Sequence, residues 1–166
     1  MNPWREAFFI QAKSDFELFK DLSKKGYSHH HCLHLLQMTT EKMAKGFMCD
    51  RNDPISPPQT HYVFLKFIQK IAPANSALRE LCRCKDSLIF KRYLTGLTPI
   101  AESIEDLVPR KSGDVNPEYP WEDTRGNIWC PVNYTFSGLE LTTPKLAKMV
   151  SFLESCFILI EQEITE

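Results

Sequence analysis

Residues able to do chemistry gather on one stretch of this 166-residue chain. His30, His34, Gln37, Glu41 and Lys45 recur at spacings of four and three, and on a helix such spacings stack side chains on one face. Two imidazoles, an amide, a carboxylate and an ammonium in one stripe can exchange hydrogen bonds, hold a polar ligand or move a proton. Two readings are open. The stripe is a polar cluster at a groove or dimer seam, or it is a solvated helix face. On a solvated face Glu41 and Lys45 form an i,i+4 pair contributing only about 0.2–0.5 kcal/mol.

Other chemistries find less support. A carboxylate-bridged di-iron bundle needs paired Glu-x-x-His, and the chain contains no Glu-x-x-His, so His29, His30, His31 and His34 stand as a lone histidine cluster. Cys82-x-Cys84 has no second cysteine pair and no nearby histidine pair, as zinc would require. Neither phosphate-cradling glycine pattern, Gly-x-x-x-x-Gly-Lys or Gly-x-Gly-x-x-Gly, occurs. Cys32 falls on an apolar arc and reads as core, not nucleophile. No metal ion and no cofactor is expected.

The elements that must position the stripe are helices. At about 100° per residue, Trp4, Phe8, Phe9, Ala12, Phe16, Phe19 and Leu22 share one arc, which predicts a helix over 4–24 stopped by Gly26. Ser28 can cap a second helix over 28–48, with Cys32, Leu33, Leu36, Thr40, Met43, Ala44 and Phe47 inside, ending before the proline-bearing stretch 50–58. Phe64, Phe67, Ile68 and Ile71 predict a short third helix after Gln59, closed by Pro73. Ser76 to about Val108 reads as more helix, broken at Gly96–Pro99, with Thr98 capping the restart. From Pro109 to Leu141 periodicity fails, and Tyr119, Trp121, Trp129 and Tyr134 give this long loop apolar mass to pack. A last helix starts at Thr143 and Pro144. Its Phe152 and Leu159 lie opposite much of the core arc and are expected to pack on the 109–140 segment or across a homodimer.

The expected fold is therefore all-α: a single domain over 1–166, an up-and-down bundle of four to five main helices with a long ordered loop before the last. With 20 Lys+Arg against 21 Asp+Glu the chain has no global attraction for nucleic acid or anionic membranes. The longest apolar run, Cys156–Ile160, is five residues, where a membrane span needs about 20. The N-terminus has no basic stretch leading into an apolar one, so a cytoplasmic protein is expected. Charge is uneven, however. Residues 66–92 hold Lys66, Lys70, Arg79, Arg83, Lys85, Lys91 and Arg92 against Glu80 and Asp86, which suits RNA or nucleotide phosphates, or solubilises exposed helix faces. Residues 102–125 are acidic, and that side could meet the basic one of a second subunit.

Gln37-Met-Thr-Thr-Glu41-Lys42-Met-Ala-Lys45 resembles the Gln-x3-Glu-Lys-x2-Lys signature of the second helix of HEPN domains, the nucleotide-binding helical domains of prokaryotes and higher eukaryotes. Thr60-His61 is similar to the Thr-His pair that opens their next helix, and Tyr119-Pro120 to the end of their Arg-Tyr-Pro element. The resemblance implies an up-and-down bundle, usually dimeric. It also implies one of three roles: metal-independent ribonuclease in toxin–antitoxin and defence systems, nucleotide-binding module, or partner of a small nucleotidyltransferase. The Arg-x4–6-His motif of HEPN ribonucleases is absent, since the nearest run, Arg51 to His61, has nine residues between. Glu118 stands where the Arg of Arg-Tyr-Pro would be, and a carboxylate there repels phosphate. The expectation is a non-catalytic binding and partner-interaction module that forms a homodimer, with a nucleotidyltransferase or an antitoxin as the partner protein. Its binding residues would be His30, His34, Gln37, Glu41, Lys45, His61 and Tyr119. The alternative is a divergent ribonuclease in which His61 or a helix 2 histidine moves the proton and Arg51 or Arg110 holds phosphate.

Overall fold

The computed structural model of the chain describes residues 2–49 and 60–165. It is an all-α bundle. Helix α1, Pro3–Lys24, starts where the Asn2 side chain accepts the Trp4 N–H at 2.9 Å with Pro3 at the first position, where a missing N–H does no harm. It stops at Gly26, whose φ of +70° suits a residue without Cβ. Helix α2, His29–Met48, follows after a short turn, and the two pack along much of their length as a helical hairpin.

Helix α3, Phe64–Lys66, continues through a π turn, Phe67–Ile71, into a 3₁₀ turn, Ala72–Ala74. The sequence predicts one plain short helix here. Pro73 cannot donate to the carbonyl four residues back, so the regular ladder cannot run through it. Helices α4, Ser76–Leu81, α5, Ser87–Thr95, and α6, Thr98–Glu105, come next. The expected continuous helix from Ser76 is broken once more than the sequence suggests, at 82–86. There Arg83 adopts φ 54° and Asp86 caps α5 by accepting the Ile89 N–H at 2.8 Å. At the predicted break, Leu97 takes the cap position and the Thr98 hydroxyl bonds back to the Leu94 carbonyl, so Thr98 opens α6 without capping it.

The 109–141 stretch holds a two-stranded hairpin, β1, Trp121–Glu122, and β2, Ile128–Trp129, in antiparallel register. Asp123 organises its turn. Its carboxylate accepts from the Arg125 and Asn127 amides, the Asn127 side chain and the Trp129 indole, and these bonds hold it far below the usual carboxylate range. Tyr134 sits edge-on to Trp121 at 4.9 Å and to Trp129 at 5.5 Å, so the aromatic mass of the loop packs mainly on itself. Helix α7, Pro144–Thr165, closes the chain, its first turn capped by the Thr143 hydroxyl.

The core runs between these helices. Phe16 stacks on Phe157 at 5.0 Å and Phe47 on Phe67 at 4.8 Å. Phe152 and Leu159 are both buried, and the Phe152 ring meets Phe67 of the π turn and Tyr93 of α5. The π turn, α4 and Tyr93 of α5 meet α7 as well, which makes that helix apolar on more than one side.

One core position contradicts the periodic pattern. Trp4 is 48% exposed, whereas its neighbour Arg5 is 5% exposed. The Arg5 guanidinium donates to the Gly46 carbonyl at 3.2 Å, pairs with Glu163 of α7 at 2.7 Å, and lies over the Phe9 and Phe47 rings. It thus satisfies a carbonyl at the C-terminal end of α2 while joining three helices. Close approach at this junction needs Gly46, because a Cβ there would lie 2.4 Å from Cε1 of buried Phe9. Gly46→Ala is therefore expected to destabilise by about 1–3 kcal/mol despite the better helix propensity of alanine. Urea unfolding should show a lower midpoint at unchanged slope, and an unchanged or raised midpoint would refute the close packing.

Candidate functional site

Helix α2 touches α1 on one side and α3, the π turn and α6 on others, so little of its surface is left for water. The polar stripe consequently lies against protein. Glu41 is 6% exposed and Gln37 is 5% exposed, which excludes a freely solvated face. A buried carboxylate must be met by donors. Lys45 Nζ donates to Oε1 at 2.7 Å, Gln37 Nε2 to Oε2 at 2.9 Å, and His61 Nδ1 lies 2.9 Å from Oε2. Burial alone would push the Glu41 carboxyl up, but the hydrogen bonds and charges of Lys45 and His61 outweigh it and hold the group below its ordinary value.

His61 comes from the segment ahead of α3, and three contacts tie that segment and α3 itself to α6 and the residues after it. Glu105 Oε1 accepts the Leu65 N–H at 2.8 Å, the Tyr62 hydroxyl donates to the Val108 carbonyl at 3.2 Å, and the Arg110 guanidinium lies over the Tyr62 ring. Glu105 is itself buried, and burial pushes its carboxyl up despite the amide bonds it accepts. Between α2, His61 and the chain after α6 lies a cavity of about 180 Å³. His34, Gln37, Met38 and Glu41 line it from α2, His61 from the segment ahead of α3, Leu107, Val108 and Pro109 from beyond α6, and Asn116, Pro117, Glu118 and Tyr119 from the long loop. The loop is shaped there by Asn116, whose Oδ1 accepts the N–H groups of Glu118 and Tyr119 at 2.8 and 3.1 Å.

Five of the seven sequence-predicted binding residues, His34, Gln37, Glu41, His61 and Tyr119, thus border one cleft. Lys45 does not line it; it backs Glu41 and sits 5.9 Å from the Phe8 ring centre. His30 is also outside, one turn toward the helix start, where its ring lies 3.9 Å from that of His31; burial and then the neighbouring imidazoles push its pKa down. His29 instead holds the long loop, its Nε2 2.9 Å from the Leu139 carbonyl oxygen. Among the described residues no group of three His, Cys, Asp or Glu side chains is placed to hold a metal ion.

Of the phosphate-holding candidates, Arg51 lies outside the described residues, and Arg110 is engaged by Asp106 at 2.7 Å. In the basic stretch, Arg79 pairs with Glu80, while Lys66, Lys70, Arg83, Lys85, Lys91 and Arg92 are exposed and make no ion pair among the described residues. No helix there is long and apolar enough to cross a membrane.

Sequence reasoning missed Asn116, Met38 and Glu105. Asn-Pro ahead of Glu-Tyr is a turn signal that could have placed Asn116. Glu105 carried no such signal, because its partner amide is 40 residues away. The chain matches no protein-family model, no curated protein and no solved structure.

Because Glu41 binds its proton less tightly when folded, its stabilising contribution is complete above the unfolded carboxyl value of 4.5 and is lost as pH falls through the lower folded value. Glu41→Ala should cost about 3 kcal/mol at neutral pH, since it strands buried partners, and the difference from the native chain should shrink on acidification below pH 4.5. Denaturation at a series of pH values checks both. A loss under about 0.5 kcal/mol would be that of an exposed pair.

Proposed function

We propose that this chain is a non-catalytic, HEPN-like binding and partner-interaction module. One observation carries this reading: His34, Gln37, Glu41, His61 and Tyr119, three sequence-separated contributions, border a single cleft with a buried carboxylate. These residues overlap those on which the resemblance rests. In this reading the cleft receives a polar group of the partner, with an antitoxin, a nucleotidyltransferase or a second copy of the chain as the partner classes. The unpaired cations of 66–92 take RNA or nucleotide phosphates.

The absence of catalysis is inferred from missing charge stabilisation. Cleavage of a phosphodiester without metal needs a group to hold the developing charge and a group to move the proton, each contributing orders of magnitude. His61 could do the second. Among the described residues no arginine lines the cleft, Arg110 is paired with Asp106, and Glu118 adds negative charge to the cleft wall.

A second reading, the divergent ribonuclease, draws support from the His61–Glu41 bond. A carboxylate on Nδ1 orients an imidazole and leaves Nε2 toward solvent, and the His61 side chain is 60% exposed. Incubation of the purified chain with mixed RNA in chelator separates the two. The expected outcome is intact RNA, with retention on an RNA column that weakens in Lys91→Glu/Arg92→Glu. Chelator-resistant cleavage that disappears in His61→Ala and in Arg110→Ala would establish the ribonuclease instead.

A further inference from the structure

We infer that the group seated in the cleft is the guanidinium of an arginine side chain presented by a partner protein; this rests on the cleft being the binding site. The cleft offers acceptors to a donor-rich ligand. Gln37 is 5% exposed, gives its N–H to Glu41, and its side-chain oxygen accepts no hydrogen bond among the described residues although it borders the cavity. That oxygen is not sealed off, so a donor from the ligand can reach it. Glu118 borders the same cavity, is exposed, and has no cationic partner among the described residues.

Charge points the same way. Lys45 is matched by Glu41, which leaves the Glu118 carboxylate without a cation among the described residues, so a phosphate entering the cleft is repelled by it and a cation attracted. Met38, Leu107, Val108 and Pro109 supply apolar wall against which a methylene stem can lie. Tyr119, 61% exposed beside Glu118, offers a ring face at the mouth. A planar fork of five N–H donors that also stacks on an aromatic ring meets several spread acceptors at once, whereas an ammonium is a compact point charge. A cavity of about 180 Å³ suits such a head group with part of its stem, leaving the main chain of the partner outside.

The test is a titration of isotope-labelled full chain, followed by NMR at the Gln37 side-chain amide and the Tyr119 ring. The probes are N-acetyl-arginine-N-methylamide, its uncharged citrulline counterpart, free arginine and AMP. The blocked arginine should shift both signals saturably. The citrulline compound should bind about tenfold more weakly, the loss expected when charged hydrogen bonds become neutral. Glu118→Gln, at an exposed site, should weaken the arginine compound about threefold without moving the melting temperature. Citrulline binding as tightly as arginine, or free arginine binding more tightly than the blocked form, overturns the proposal. AMP alone shifting the cleft signals overturns the arginine assignment and leaves the cleft as a binding site. No shift with any probe removes both.

Discussion

A carboxylate placed in the interior of a helical bundle sets conditions that the surrounding chain must meet. Glu41 is 6% exposed, and its oxygens cannot be left without donors at that depth. Gln37 and Lys45, one turn either side on α2, supply part of the requirement because helical spacing already puts them there. His61 supplies the rest from a different part of the chain. The carboxylate thereby joins α2 to the segment that enters α3, and it does so with charge-assisted bonds, the stronger kind. Arg5 does the equivalent at the C-terminal end of α2, where one guanidinium engages a helix-end carbonyl and a carboxylate of α7.

The cleft is a by-product of how these ties are made. Glu105 and the Val108 carbonyl hold the His61 segment against α6, and the chain leaving α6 then has to pass alongside α2. Asn116 turns the chain so that Glu118 and Tyr119 arrive at the mouth. Rigid parts thus surround a small space whose wall is half apolar and half hydrogen-bonding, the usual make-up of a recognition site. The self-packed hairpin around Tyr134 and the His29 bond to Leu139 restrain the long loop beyond it, so the mouth is carried on a braced segment.

Periodicity alone determined much of this protein. The spans of α1, α2 and α7, and the caps and opening prolines of α1 and α7, follow from local rules that act within one turn, whereas Ser28 precedes α2 without its side chain capping it. The alignment of His34, Gln37 and Glu41 on one face is equally local, whereas the place of His30, on the same stripe but outside the cleft, was decided by packing. Where local rules conflict with packing they fail. Trp4 satisfies the apolar arc and is exposed, while Arg5 breaks it and is buried, because its partners at Gly46 and Glu163 are 41 and 158 residues distant. Phe152 looks like surface on a helical wheel that assumes one core, yet α7 is covered from two sides.

The tertiary structure decided which face of α2 would be dry. The same i,i+4 spacing of Glu41 and Lys45 describes an exposed pair of small worth or a buried pair that is costly to break, and only the elements packed over it choose between them. It also decided that His61 and Tyr119 would meet the stripe, since their separation of more than fifty residues in the chain carries no distance information until α6 and the loop after it are in place. Residue type and spacing could nominate the chemistry; dielectric surroundings and long-range contacts, which a linear string does not contain, determined where that chemistry has a cavity to act in.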